Sequence, residues 1–350
     1  MCKKISCAVF FLYFILLFTV HGDQDKKPIE RIGFGSCLDP RASHPILFTV
    51  AHERPDIFIF LGDNIYADTS DENTMRARYR ELETSPGFQR LSTASRLLAV
   101  WDDHDYGAND AGNDYSMKKQ SERIFEDFWK IGKDSPRRKR EGVYGVSYFG
   151  PPGRIVQVIL LDTRYFRTPL KRGDHRPTHA RGPYLPQSDP GSHILGPEQW
   201  KWLRTELLKP AQVRLIVSSI QVLSEYHGWE SWANFPHERA SLLGMIEETG
   251  AGGVIFISGD RHFAEISKVN PTGLYPLFDI TSSGLNRTFP GTTPNENRYR
   301  EGKYYLEENF GMITIDWEKE DPVITARILD ISGRTVIERT IFLGTLRADG

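Results

Sequence analysis

The residues able to do chemistry in this chain come in four short clusters. They are "GSC" with Cys37, "GDNIYAD" with Asp63 and Tyr66, "WDDHD" with Asp103 and His104, and "SGDRH" with Asp260 and His262. Asp63, on a sharp glycine turn, could bridge two cations, and Tyr66 three residues on offers a phenolate, a hard anionic ligand suited to a trivalent metal. Asp103 adds a carboxylate with His104 beside it. Asp260 and His262, with one residue between them, could aim at neighbouring ions, and Cys37 supplies a thiolate. Taken singly, each has an ordinary reading: a turn aspartate, a hydrogen-bonded histidine, a buried thiol acting as a small hydrophobe. Together they point elsewhere. Gathering carboxylates raises their pKa and destabilises a fold unless cations compensate, so the set predicts a metal site.

Six short apolar runs must position these groups. "RIGFGSC" ends at Cys37, "PDIFIFLGDNIY" at Asp63 and Tyr66, and "RLLAVWDDHD" at Asp102, Asp103, His104 and Asp105. "RIVQVILLDTR" ends at Asp162 and Arg164, "VRLIVSSIQ" at Gln221, and "GGVIFISGDRH" at Asp260 and His262. Such runs read as buried strands, and open α/β sheets bind ligands just outside the carboxyl ends of their strands. Amphipathic stretches at 71–83, 115–130, 197–209 and 237–248 predict helices between them; Pro197 takes the favoured first helical position. After His262 come strands without long helices, read as antiparallel additions. The expectation is one α/β domain of two sheets flanked by helices. Residues 168–196, rich in Pro, Gly and His, form a long insertion of the kind that is often functional. Trp229 and Trp232, in "WESWANFPHER", are expected to wall a substrate pocket beside the site, the other reading being loop packing.

The chain has 350 residues, 44 Lys+Arg against 46 Asp+Glu, and three cysteines. Its first 22 residues carry two early lysines, an apolar run from Ala8 to Val20, and Val20 and Gly22 at the spacing of a cleavage site. This predicts a secretory signal peptide. Thirteen apolar residues reach only about 20 Å as a helix, short of a bilayer's ~30 Å core, and no stable membrane span is expected after cleavage. Removal of Lys3, Lys4, Cys2 and Cys7 leaves a net charge of about −4 and Cys37 alone. A lone cysteine in a secreted protein is an intermolecular partner, a reactive thiol or a metal ligand. The near-neutral charge lacks the footprint of a nucleic-acid binder, and the "PRRKRE" run at 136–141 reads as a solvated loop. Asn286-Arg287-Thr288 is a glycosylation acceptor in a eukaryotic source.

The ordered set "GSC…GDNIY…WDDHDYG…LDTRYFR…SGDRH" resembles the PhoD-type alkaline phosphatases within the calcineurin-like metallophosphoesterases, over roughly residues 30–285. The resemblance implies a four-layer α/β/β/α sandwich, here as a single domain over 23–350 without an obvious amino-terminal accessory domain. It also implies a metal cluster of Fe(3+) and Ca(2+), with Mg(2+), Mn(2+) or Zn(2+) as alternatives. By position, Cys37, Asp63, Tyr66 and His262 resemble iron-side ligands, Asp63 bridges, and Asp103 with Asp260 would hold the other cation. Cys37 stands where other metallophosphoesterases use Asp-x-His, and Gln221 falls near a position where they place a histidine. Its role is left open.

The implied activity is hydrolysis of small phosphomonoesters by water, in a secreted enzyme. No Ser or Thr stands in a nucleophile motif, His104 is placed to assist the leaving group, and Arg164 could face a phosphate or tie down loops. Two competitors share these residues. One is a phosphodiesterase or phospholipase-D-like hydrolase acting on diesters or phospholipids; the other is a secreted metal-binding protein without activity.

Overall fold

A computed structural model describes residues 27–178, 181–225, 227–291 and 297–347. The stretch read as a signal peptide lies outside them. Strands β1 (Arg31–Gly35), β2 (Ile57–Leu61) and β3 (Arg96–Val100) run parallel. They continue through antiparallel β10 (Asn309–Asp316), β11 (Val323–Asp330) and β12 (Thr335–Phe342) into a sheet of order β12-β11-β10-β1-β2-β3. A second sheet has the order β4-β5-β6-β7-β9-β8. Its members are β4 (Gly145–Phe149), β5 (Val156–Leu160), β6 (Val213–Ser218), β7 (Val254–Ser258), β8 (Ala264–Val269) and β9 (Leu277–Ser282).

Alternation along β2 shows why the sheets stack as they do. Ile57, Ile59 and Leu61 join the apolar core that both sheets share, with Val158, Leu215 and Ile255. Phe58 and Phe60 turn the other way, into a second core with Leu47, Tyr79 and Phe88. Those residues come from α1 (Ile46–His52), α2 (Glu72–Thr84) and α3 (Pro86–Ala94), joined by α5 (Lys118–Phe128). On the far side, Leu203 and Leu207 of α6 (Gly196–Leu207) and Leu242 and Ile246 of α7 (Pro236–Thr249) close the shared core. A strand covered on both faces must be apolar throughout, as all five residues of β2 and of β7 are buried. The layers are α/β/β/α, as expected.

All six strands expected to carry the site are present, and so are the four helices. Two points differ. β9 lies parallel to β7, not antiparallel, because the short β8 returns the chain across the sheet edge. Helices α1 and α3 and strands β4 and β8 went unread, since they are too short to show a clear period. The insertion at 168–196 is irregular as expected, with only the bridges Arg172↔Tyr184 and Thr178↔Arg181 among its described residues. No helix among the described residues is long and apolar enough to cross a membrane.

Candidate metal centre

The turns after β1, β2, β3 and β7 meet at one end of the two sheets. Two glycines permit the approach. A Cβ on Gly62 (φ +102°) would lie 2.6 Å from Asp102 Cβ, and one on Gly259 would lie 2.5 Å from Ser36 Oγ. Asp105, in the single helical turn α4 (Asp103–Tyr106), clamps two of the turns. Its carboxylate accepts from the backbone N–H of Asp63 (3.2 Å) and Asp102 (2.6 Å) and from Asn64 Nδ2 (2.6 Å). The second sheet is zipped on by residues after β9. Ser36 O accepts from Gly284 and Leu285, and Cys37 O accepts from Asn286 and Arg287.

Backbone strain marks the same place. Eight described non-glycine residues have positive φ, and six belong here: Cys37 (60°), Asp63 (50°), Asp68 (43°), Asp110 (56°), Asp260 (67°) and His262 (58°). Such conformations cost on the order of 1 kcal/mol or more each and persist where the surroundings over-determine them, commonly at functional sites.

Three sets of donor atoms converge, each within 4.8 Å: Cys37, Asp63 and His262; Asp63, Asp103 and His104; Asp103, Asp110 and Glu230. Asp63 belongs to two sets and so does Asp103, so the groups form one chain. Tyr66 OH donates to Asp63 Oδ2 at 3.1 Å, and the Cys37 thiol lies 3.4 Å from the same oxygen. Asp260 stands outside the three tight sets, 3.9 Å from Arg261. Asp110 and Glu230 were not singled out from sequence. "GAND" and "WESW" are loop text without period, and only the fold brings them beside Asp103.

The electrostatics of this cluster call for cations. Burial, then the neighbouring carboxylate of Asp103, push Asp63 well above the usual carboxylate range. Burial and Asp102 do the same to Asp260. Burial and Asp63 raise both the Cys37 thiol and the Tyr66 phenol. Oδ1 of Asp63 is buried without a hydrogen-bond partner. A buried, mutually repelling set of carboxylate, thiol and phenol donors with an unpartnered oxygen fits metal ions.

Both histidines are oriented. His262 Nδ1–H donates to Arg287 O at 2.6 Å, leaving the Nε2 lone pair for a metal. Burial lowers its pKa to about 4, which keeps it neutral. His104 Nδ1–H donates to Asp68 at 2.7 Å. Burial alone would depress His104, but Asp63, Asp68 and Asp103 outweigh it and raise it to about 11. Asp68 is therefore a positioning residue that the sequence reading passed over, although it closes the quoted "GDNIYAD".

The other expected residues are scaffold. Arg164 is fully buried, its Nε 2.6 Å from Asp102 and its Nη1 2.6 Å from Glu230. Of its two readings, facing a phosphate is corrected: a guanidinium sealed between two carboxylates ties loops together. Asp162 holds the backbone N–H groups of Val143, Arg164 and Tyr165 and accepts from Trp101 Nε1. Gln221, fully buried, donates to Glu265 (2.8 Å) and Thr281 (2.9 Å) inside the second sheet. Trp232, expected at a pocket wall, is instead wholly buried and donates to Ser218. Trp229 is half-buried, with the Arg261 guanidinium 5.8 Å from its ring. Four of the six strand ends bring candidate ligands, and β5 and β6 bring the frame.

The chain is similar to known phosphatases. A family model described as PhoD-like phosphatase matches residues 36–320. Alkaline phosphatase D of Bacillus subtilis (strain 168) is 22% identical over a 316-residue alignment that covers 76% of this chain and 51% of that protein. The chain thus spans about half the length of the curated relative it matches. Among solved structures, PhoD aligns with TM-score 0.67 at 17% identity, covering 91% of this chain and 74% of that one. A dimetal phosphatase from Danio rerio aligns with TM-score 0.52 at 15% identity, covering 91% and 100%. At these identities the structural likeness speaks for the fold alone.

Proposed function

The chain belongs to the PhoD-like phosphatase family, and from that membership we propose that it is a secreted, metal-dependent hydrolase of small phosphomonoesters. The observation that carries this reading is the linked chain of donor sets sharing Asp63 and Asp103 on strained strand-end turns. Residues 23–350 act as one domain in this proposal, supported by the single core between the two sheets.

Cys37, Asp63, Tyr66 and His262 would hold Fe(3+), because thiolate and phenolate suit a trivalent ion. Asp103 and Asp63 would hold a second, oxygen-loving cation such as Ca(2+), with Asp260 at its margin and Asp110 and Glu230 extending the site. When bound, these ions supply positive charge that polarises the phosphoryl group and acidifies water. The chain's own residues do the rest. Asp105 keeps the Asp63 and Asp102 turns in register. Asp68 holds Nδ1–H of His104, which leaves Nε2–H to pass its proton to the departing alkoxide oxygen, and a ring nitrogen of His104 lies within 4.8 Å of the Asp63 and Asp103 donor atoms. Arg164 bears no role toward substrate. It neutralises Asp102 and Glu230 from beneath, and with His104 it holds Asp103 down at about 2 against its burial.

One observation favours diesters as a second reading. A cavity of about 490 Å³ opens between the loop after β3 and the 168–196 loop, lined by Asn109, Asp110, Arg172 and Tyr184. A second ester group would find room there beside Asp110.

Two measurements test the proposal. Metal analysis of purified protein should find iron with a divalent partner, and a visible colour from thiolate- or phenolate-to-iron charge transfer; full activity with zinc alone overturns the iron assignment. Steady-state hydrolysis of a phosphomonoester and a bis-phosphodiester, before and after chelation, should give chelator-sensitive monoester turnover. Diester turnover alone would select the second reading, and metal without turnover would leave a binding protein.

A further inference from the structure

We infer that the loop after β9, residues 285–290, is the substrate-recognition element: Arg287 binds the phosphoryl group, and Phe289 forms a platform selecting planar, aromatic leaving groups. The inference rests on the phosphoester-hydrolase reading above and deepens it to a substrate class. Phosphate recognition needs a cation whose donors are not already committed. The buried Arg164 is sealed between Asp102 and Glu230. Arg261 lies beside Asp260 and packs over Trp229 and Phe263, and Arg41 is paired with Asp39 at 2.9 Å. Arg287 differs. Its side chain is exposed, it makes no ion pair among the described residues, and its guanidinium lies 4.8 Å from the Tyr66 ring centroid. Tyr66 is the ruler here, with Arg287 on its face and Asp63 at its hydroxyl.

Phe289 is 48% exposed, and its ring centroid is 4.5 Å from that of His262. A large exposed ring at the rim of a buried polar cluster offers an apolar face to whatever group leaves the phosphorus. Planar groups gain most from such a face. The loop is staked so that both side chains keep their places. Asn286 Oδ1 accepts from Asp39 N at 2.7 Å, its Nδ2 donates to Asp39 O at 2.8 Å, and Cys37 O accepts from Asn286 and Arg287. Nδ2 of Asn286 also donates to Ser43 O at 3.3 Å, so a glycan attached there would displace one of the two bonds it donates.

The test reads binding, not turnover alone. Metal-loaded protein is titrated calorimetrically with phenylphosphonate and methylphosphonate, with metal content measured for every variant. Wild type should bind phenylphosphonate more tightly. Arg287→Ala should weaken both ligands about tenfold or more, and Arg287→Lys should recover part. Phe289→Ala should lower the phenyl-to-methyl affinity ratio about fivefold, while Phe48→Ala, an equally exposed phenylalanine outside the site, should not. Phosphonate affinities within twofold of wild type in Arg287→Ala and Phe289→Ala, at full metal content, overturn the assignment; so does a wild type that binds neither ligand. Binding with these variant effects but no hydrolysis of any phosphoester would sink the hydrolase reading and keep the loop as an aryl phosphonate and phosphate site.

Discussion

Asp63 and His104 lie a few ångströms apart, yet the proposal divides their work, and substitution should separate them. Asp63 is shared by two donor sets. Asp63→Asn should therefore lose metal and activity together, read by metal analysis and turnover on one preparation. His104→Ala should keep the metals and lose about 10²–10⁴-fold in turnover, the usual scale of proton-transfer assistance. Asp68→Asn should follow in the same direction and less steeply, with a shifted pH profile, since the ring stays but loses its orienting carboxylate. Equal metal loss in all three would refute the division. Cys37 offers a second separation. As a ligand, its replacement by Ala or Ser should deplete iron and bleach the visible band. As a packed thiol it would cost only ~1 kcal/mol of stability and leave iron at wild-type content.

Elements matter here as carriers of turns, and β1 is the most exposed to disturbance. Phe34 of β1 pairs with Gly311 of β10, and a Cβ on Gly311 would lie 2.1 Å from the Phe34 ring. Ring and strand cannot both stay. Gly311→Ala should destabilise by roughly 1–3 kcal/mol through overpacking, visible as a lower Tm. Because β1 runs on through Ser36 into Cys37, iron occupancy should fall as well. Unchanged Tm and iron would mean that β10 yields freely and that β1 does not set the position of Cys37.

Taken whole, the molecule folds around a charge problem that only cations or protons relieve. Burial raises Asp105 to about 8, and Asp102, still partly restrained by Arg164, to about 7. Burial with Glu230 raises Asp110 to about 8. Unfolded, these carboxyls titrate near ~3.9. The folded state therefore holds more protons between about pH 4 and pH 8, and this contribution to stability is full below pH 4 and lost as pH rises to 8. Chelated protein should show a Tm that falls steadily across that window. Metal-loaded protein should vary less and melt higher, because a ligand bound only by the native state stabilises it. Calorimetry or dye-monitored melting at several pH values checks this; a chelated Tm that rises from pH 4 to 8 would reverse the sign.

Much of this was legible in one dimension because its causes are local. A strand covered on both faces is a continuous apolar run, and a ligand aimed from its end is the next polar residue along. Cys37, Asp63, Asp103 and His262 were therefore readable, together with the α/β/β/α layering. The rest depends on which loops share an end of the sheets. Asp110 and Glu230 reach Asp103 from segments without period, and Asp68 reaches His104 across a turn. Arg164 and Asp63 look alike in sequence, each a charged group just past a buried strand. Only tertiary structure seals the first between two carboxylates and leaves the second with one buried oxygen, Oδ1, that has no hydrogen-bond partner. Sequence carries residue type and strand ending; the desolvation and the partners that turn a charged side chain into a ligand or a strut exist only once the sheets have met.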